Sequence, residues 1–428
     1  MKNSNIQWIG EIPDDWEVSK LKYIFDYIHR GQTPNYVEKS NCKVVNQSTF
    51  SKFFFDRDNQ KFTTDCRYND NFIRKKDVLM ASTGGGVLGK VFYYDLDYND
   101  SIADSHVTIL RATNKIESKF YYYTLSILFD WINNNLAEGS TNQTELQRDL
   151  LGNSFFPLPP LATQTLIATY LDAKCSEIDG LIADINKQIE TLNELKKSTI
   201  TEAVTKGLNK NAKLKDSGIQ WIGMIPEGWS ITKLKYIFDY IRRGQTPNYV
   251  EKSNCRVVNQ ATFSKFYFDR EKQKYTANCV YNENFVRKKD VLMASTGGGV
   301  LGKVFYYNLD YNDSIADSHV TILRTTNNIE SKFYFYTLSI LFEWINVNLA
   351  EGSTNQTELQ RDLLGNSFYP VPPLAEQHAI ATYLDTKCSE FDSIISDKQK
   401  QISTLEAYKK SLINEYVTGK NVPPVIDN

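Results

Sequence analysis

The strings "GGGVLGKV" at Gly84 to Val91 and again at Gly297 to Val304 carry the spacing Gly-x-x-x-x-Gly-Lys. In a P-loop, that spacing lets backbone N–H groups face phosphate oxygens and a lysine reach them. The last place of the frame fails. Val91 and Val304 stand where a Ser or Thr hydroxyl would hold Mg²⁺, and the following "FYYDLDY" reads as a strand, where a P-loop requires a helix. A glycine-rich hairpin turn is the expected structure, with contact to a DNA phosphate as the functional alternative. Of the four histidines only His106 and His319 recur, each within "IADSHVTILR". With no second His, Cys or carboxylate pair at metal spacing, each is expected to be a hydrogen-bonded strand histidine, neither acid, base nor ligand. Cys42, Cys66, Cys175, Cys255, Cys279 and Cys388 never form Cys-x-x-Cys, so buried free thiols are expected and a zinc site is not. The Asn-Pro-Pro-aromatic string of an adenine methyltransferase and a Gly-x-Gly cofactor loop are both missing, so this chain should bind no cofactor and no metal of its own.

Residues suited to gripping DNA are more numerous. Arg30 and Gln32 in "RGQTPNY", the "RKK" of Arg74, Lys75 and Lys76, then Lys90, and Asn142 and Gln143 in "STNQ" fall on expected loops. Their counterparts are Arg243, Gln245, Arg287, Lys288, Lys289, Lys303, Asn355 and Gln356. Arg pairs bidentately with guanine, Asn and Gln pair with adenine, and Lys favours phosphate. With a net charge of −2, no bulk basic field draws the chain to nucleic acid, so local patches or a second chain must supply the attraction.

These counterparts exist because the chain is written twice. "IQWIGEIPDDW" begins at Ile6 and "IQWIGMIPEGW" at Ile219, and a shift of 213 positions aligns the halves without a gap. Residues 19–157 differ from their partners at 20 of 139 positions, while the stretch after Leu161 has drifted further. Within each half, short Val-, Thr-, Phe- and Tyr-rich runs broken by Gly, Asn and Asp predict a bent sheet. One amphipathic helix is expected at "SKFYYYTLSILFDWINNNL", followed by a polar loop with one helical turn. "FFPLPPL" then ends the domain, because prolines continue neither a helix nor a central strand.

A long helix follows, from about Thr163 to Val204. Leu171, Cys175, Ile178, Ile182, Ile185, Ile189 and Leu192 alternate steps of four and three, the spacing of a coiled-coil seam. Leu384, Cys388, Phe391, Ile395, Ile402 and Leu405 repeat it, interrupted by Lys398. A helix of about 40 residues spans roughly 60 Å and cannot leave such a stripe uncovered. The other copy is its natural partner, and an antiparallel pair would carry a globular domain at each end about an approximate two-fold axis. The predicted class is therefore α+β, with domains at 1–158 and 213–371 and spacer helices within 159–212 and 372–428. No apolar run approaches the roughly 20 residues of a membrane span and the polar start is no signal peptide, so a cytoplasmic protein without membrane contact is expected.

The W-I-G-x-I-P-x-x-W opening, "PLPPLATQTLIATYLD" and "PVPPLAEQHAIATYLD", and the helix ends "ITEAVTKG" and "INEYVTGK" resemble the specificity subunit of type I restriction-modification systems over essentially the whole chain. Thr163 replaces the glutamate of the Pro-Pro-Leu-Ala-Glu-Gln string in the first copy. The resemblance implies two target-recognition domains on two antiparallel helices, binding a bipartite site in double-stranded DNA. It also implies two methyltransferase subunits carrying S-adenosylmethionine, which flip out an adenine for N6 methylation, and a motor-nuclease restriction subunit using ATP and Mg²⁺. Alike domains about a two-fold axis imply an interrupted palindrome, with His29/Arg242 as the difference that could distinguish the halves. The alternatives are a silent or scaffold recognition cassette and an NTPase.

Overall fold

In the computed structural model, the described residues are all except 51–55, 57–58, 65–71, 97–99, 140–143, 265–267, 278–284, 310–312, 326–327, 353–356 and 425–428. The chain forms two compact units, Met1–Ile185 with Gln399–Asn428, and Asn186–Lys398. Each unit therefore combines one globular domain with portions of both long helices.

In the first unit an antiparallel sheet has the order Phe25–Arg30, Val107–Ala112, Val78–Ala81, Val91–Tyr93. A second sheet runs Ser101–Ala103, Cys42–Val45, Lys61–Thr63, Tyr36–Val37, its first pair parallel. Alternation along the strands sends Leu79, Ala81, Val107 and Ile109 to one face, where they close a core with Val45, Phe50 and Ala103. Val78, Met80 and Leu110 turn the other way and pack against Phe120, Tyr121 and Ile132. The second unit repeats both sheets and both cores with the corresponding residues.

Two details differ from the sequence reading. The segment expected as one helix is two, Ser118–Ser126 and Phe129–Asn135, because Leu128 leaves helical geometry at φ −97°, ψ 14°. The polar loop after it holds an unexpected strand pair, Ala137–Glu138 with Glu145–Leu146, before the short helix Arg148–Asn153, where one helical turn was expected.

The long helices are Leu161–Lys206 and Leu374–Val417, and they run antiparallel. Within the first unit Asp179 meets Lys409 at 2.6 Å and Tyr170 meets Tyr416 at 3.2 Å, so position rises on one helix as it falls on the other. Within the second unit Lys196 meets Asp392 at 2.6 Å, the repeat-equivalent of the Lys409–Asp179 pair. Leu171, Cys175 and Ile178 are buried with Leu412, Ile413 and Tyr416; Ile200, Ala203 and Val204 are buried with Ile380, Leu384 and Cys388. Between these ends the seam is only half-buried at Ile182, Ile185, Ile189, Leu192, Phe391, Ile395, Ile402 and Leu405. Lys398 donates to Gln188 there.

The repeated opening phrase ties each domain to the helix ends. Trp221 packs on Trp344 and Tyr369, Trp229 donates its indole N–H to Glu376 at 2.9 Å, and Trp8 packs on Trp131 and Phe156. A Cβ on Gly419, which closes the second helix at φ +71°, would lie 2.4 Å from Pro13 and 3.1 Å from Trp16. Cys175 and Cys388 are free and buried, as expected. Cys42 and Cys255, which belong to different units, are instead each disulfide-bonded, and Cys66 and Cys279 lie outside the described residues. Sequence spacing does not report which thiols the fold brings together, and this corrects the expectation of free thiols throughout.

Candidate nucleic-acid interface

The central sheet has two ends, and the candidate DNA-gripping residues divide between them. At one end lies the glycine-rich string, which closes the hairpin between Val78–Ala81 and Val91–Tyr93 as expected. Gly84, Gly86 and Gly89 take φ of +88°, +81° and +88°, which residues with a Cβ rarely adopt. Beside this turn, Gly31 approaches the neighbouring backbone so closely that a Cβ would sit 2.1 Å from the Ala103 carbonyl oxygen. That contact brings "RGQTPNY" against the turn at Asp104–His106.

Here the polar side chains interlock. Arg30 donates through Nε to the Ser105 carbonyl at 2.9 Å and pairs through Nη1 with Glu145 at 2.8 Å. Thr83 Oγ1 lies 2.7 Å from His106 Nδ1 and 3.3 Å from Gln47 Oε1. Asp104, buried, accepts the His106 backbone N–H at 2.8 Å and the Tyr36 hydroxyl at 3.2 Å. Burial raises the Asp104 carboxyl above its ordinary range against the pull of those donors, and burial beside Asp104 pushes the Tyr36 hydroxyl up to about 12. The second half repeats the arrangement: Arg243 with Glu358 at 2.5 Å, Thr296 with His319 at 2.8 Å, Tyr249 with Asp317 at 3.3 Å. Gln32 and Gln245 are exposed on the same loops.

Some expectations change here. His106 and His319 are exposed turn residues, not strand residues, although each is hydrogen-bonded. Arg30 and Arg243 spend part of their guanidinium on a carboxylate and a carbonyl, so they brace the end as well as presenting charge. Lys90 is half-buried, and Lys303 donates to the Ser264 carbonyl at 2.8 Å. Asn142, Gln143, Asn355 and Gln356 lie outside the described residues; their neighbours Thr144 and Thr357 each accept an N–H from the glycine turn at 3.0 Å. Gln47, Thr83, Ser105 and Glu145 were not anticipated. The available signal was Asn46–Gln47 directly after a β-rich run, where Asn46 caps a short turn by accepting from Ser48 N–H.

At the opposite end stand Arg74, Lys75 and Lys76, with Arg287, Lys288 and Lys289 in the second half. They precede the strands Val78–Ala81 and Val291–Ala294, so the structure does not bring them together with Arg30, Gln32 or the glycine turn; the second-half set lines a cleft with His378 near the start of a long helix. His29 and Arg242 occupy the edge strands Phe25–Arg30 and Phe238–Arg243. Both are exposed, His29 with its ring 4.4 Å from Tyr27 and Arg242 with its guanidinium 5.5 Å over Tyr240.

Among the described residues no group of three or more His, Cys, Asp or Glu could hold a metal ion, and no helix is long and apolar enough to cross a membrane. The model of the type I restriction modification DNA specificity domain matches twice, at residues 13–191 and 226–404. The chain belongs to that family. Its general function is DNA recognition within a type I restriction-modification complex, a role of specificity and not of catalysis. The chain is 27% identical to the MjaVIII specificity subunit of Methanocaldococcus jannaschii over 96% of its own length and 93% of the relative's. It is 24% identical to the EcoBI specificity subunit of Escherichia coli over 81% and 79%. A chain from a solved structure on complex assembly and conformational transition of the type I R-M system shares its fold at TM-score 0.71, with 17% identity, covering 96% of this chain and all of that one.

Proposed function

We propose that each half reads DNA with the sheet end built from the Arg30–Tyr36 loop, the glycine turn and the Asp104–His106 turn, and that the two halves read one short sequence on opposite strands. Gln32 and His106, with Gln245 and His319, are the base-facing candidates. Arg30 and Arg243 orient the loops, and Asn142, Gln143, Asn355 and Gln356, candidates by residue type and by their place in the sequence next to Thr144 and Thr357, are further base-contacting residues of this proposal. The target is then an interrupted palindrome in duplex DNA. The observation that carries this reading is the repetition of one hydrogen-bond set in both halves, with matching partners and distances within about 0.3 Å for Arg30–Glu145, Thr83–His106 and Tyr36–Asp104.

The chemistry lies with partners. Two methyltransferase subunits bring S-adenosylmethionine and methylate adenine N6, restriction subunits bring ATP and Mg²⁺, and this cytoplasmic chain fixes where both act. Mapping N6-methyladenine across the source genome with and without the gene tests the reading. Methylation that disappears from a palindrome with identical half-sites is the expected result. Loss from two unrelated half-sites would overturn the symmetric reading, and no change at all would favour a silent cassette.

A further inference from the structure

The basic turn at the far end of the sheet is left without a role in reading. In the second half Arg287, Lys288 and Lys289 are exposed and line a cleft of about 290 Å³ floored by Asp290, Arg324 and Glu330, with His378 of the long helix closing one side. The two carboxylates are already engaged. Asp290 takes the Arg324 guanidinium and the Arg287 backbone N–H, each at 2.7 Å. Glu330 takes His378 Nδ1 at 2.7 Å and the Lys332 backbone N–H at 3.0 Å. Four cationic side chains against two carboxylates leave the cleft cationic before any charge on His378 is counted.

The backbone supplies an independent observation. Lys76 and Lys289 both sit at φ +75°, in the left-handed region where Gly or Asn normally stands. Their N–H groups are pinned to the Tyr94 and Tyr307 carbonyls at 2.8 Å, and Ser118 donates to the Lys76 carbonyl at 2.7 Å. The turn thus holds a strained conformation that glycine would adopt freely, yet carries a lysine there in both halves. Such outliers cluster at functional sites, where the surrounding structure holds the strain in place.

We propose that this turn, in each half, docks an acidic surface segment of a methyltransferase subunit and does not hold DNA. The proposal rests on the functional reading above. Two features favour protein over phosphate. The cleft lies at the foot of the long helix, a strand of four residues, roughly 13 Å, from the glycine turn. Its floor sets Asp290 and Glu330 among the cations, so a peptide that offers both carboxylates and donors matches it more fully than a backbone that offers acceptors alone. The left-handed basic turn itself recurs in the first half at Lys76, giving one such turn per half for one subunit per half.

The test replaces both strained lysines, Lys76→Gly with Lys289→Gly, in the full chain. Glycine fits φ +75°, so the charge is removed without loading the fold. Assembly with the methyltransferase subunit of the same system is followed by sedimentation across a salt series, and DNA affinity of the assembled complex is measured over the same range. Assembly weakened roughly tenfold at low salt, converging with wild type at high salt, is expected, with the salt slope of DNA binding unchanged. Wild-type assembly would overturn the proposal. If it came with a DNA salt slope smaller by about 0.9 per lost lysine, the turn would be a phosphate contact instead. A wild-type chain that failed to bind the methyltransferase subunit would defeat the functional reading itself, and the docking proposal with it.

Discussion

The globular domains and the long helices have diverged at different rates within one chain. Residues 19–157 differ from their repeat partners at 20 of 139 positions, whereas Leu161–Lys206 differs from 374–419 at 18 of 46. What the helices retain is informative. Leu171/Leu384, Cys175/Cys388, Ile182/Ile395, Ile189/Ile402, Leu192/Leu405, Asp179/Asp392 and Lys196/Lys409 are identical pairs, and they make the seam and the two equivalent ion pairs. A helix pair needs only its seam pattern and register, and its outer faces are free to drift. A domain that folds around interlocked polar loops, and that in the proposed function reads the same sequence as its twin, has far fewer neutral positions.

The largest effect expected from a single change is at the domain's tightest backbone contact. Gly31→Ala or Gly244→Ala places a methyl within about 2 Å of a carbonyl oxygen that cannot move without displacing the strand behind it. We expect a loss of roughly 3 kcal/mol from the unit concerned and loss of recognition of one half-site, read by denaturant unfolding and half-site binding. A variant as stable as the parent would mean that the loop can swing away from Ala103. The two variants should be interchangeable, because the contact is the same in both halves.

The helices offer the next largest effect and a sharper contrast. Leu171 and Leu384 are fully buried where each helix meets a domain, while Ile189 is half-buried in the middle. Leu171→Ala should cost about 2–5 kcal/mol, and Ile189→Ala less than half as much. Equal costs would show that the middle of the seam is as well packed as its ends. Smaller still are the ion pairs. Lys196→Ala and Lys409→Ala remove equivalent exposed contacts, each worth below about 1 kcal/mol and diminishing with salt. A salt-independent loss in either would indicate that desolvation, not exposure, governs the pair.

Sequence periodicity made the helices legible because a seam of threes and fours has one structural solution. The Asp179–Lys409 pairing was not legible, since it depends on how far one helix slides along the other. In the domains the strands and the glycine turn could be read, but the sorting of Arg30 and "RKK" to opposite sheet ends could not. That sorting follows from strand order: Val78–Ala81 lies inside the sheet between Val107–Ala112 and Val91–Tyr93, so the residues just before it and those just after it emerge at opposite ends. His106 was misplaced for a related reason. "DSHV" resembles the start of a strand, and only the fold reveals that Val107 N–H closes a turn on the Asp104 carbonyl at 3.1 Å.

The smallest effect expected concerns the one change that adjoins "RGQTPN", His29 against Arg242. Both side chains are exposed at equivalent places on edge strands, next to an arginine that braces the glycine-turn end of the sheet. Each also lies near a tyrosine ring two residues earlier, so the local backbone is the same and the chemistry alone differs. A guanidinium can grip guanine in two places at once, while a neutral imidazole offers one donor and one acceptor. The half-site read by the first domain should therefore be relaxed at no more than one position relative to the other. His29→Arg should erase that asymmetry, and Arg242→His should impose it on the second half-site, with a discrimination change of about 1–3 kcal/mol at that base pair and none elsewhere. Binding profiles over half-sites randomised at each position measure it directly. If a one-base asymmetry persists in both variants, residues 29 and 242 have no part in readout, and the other charge changes, at 59/272, 65/278, 67/280, 95/308 and 115/328, become the place to look.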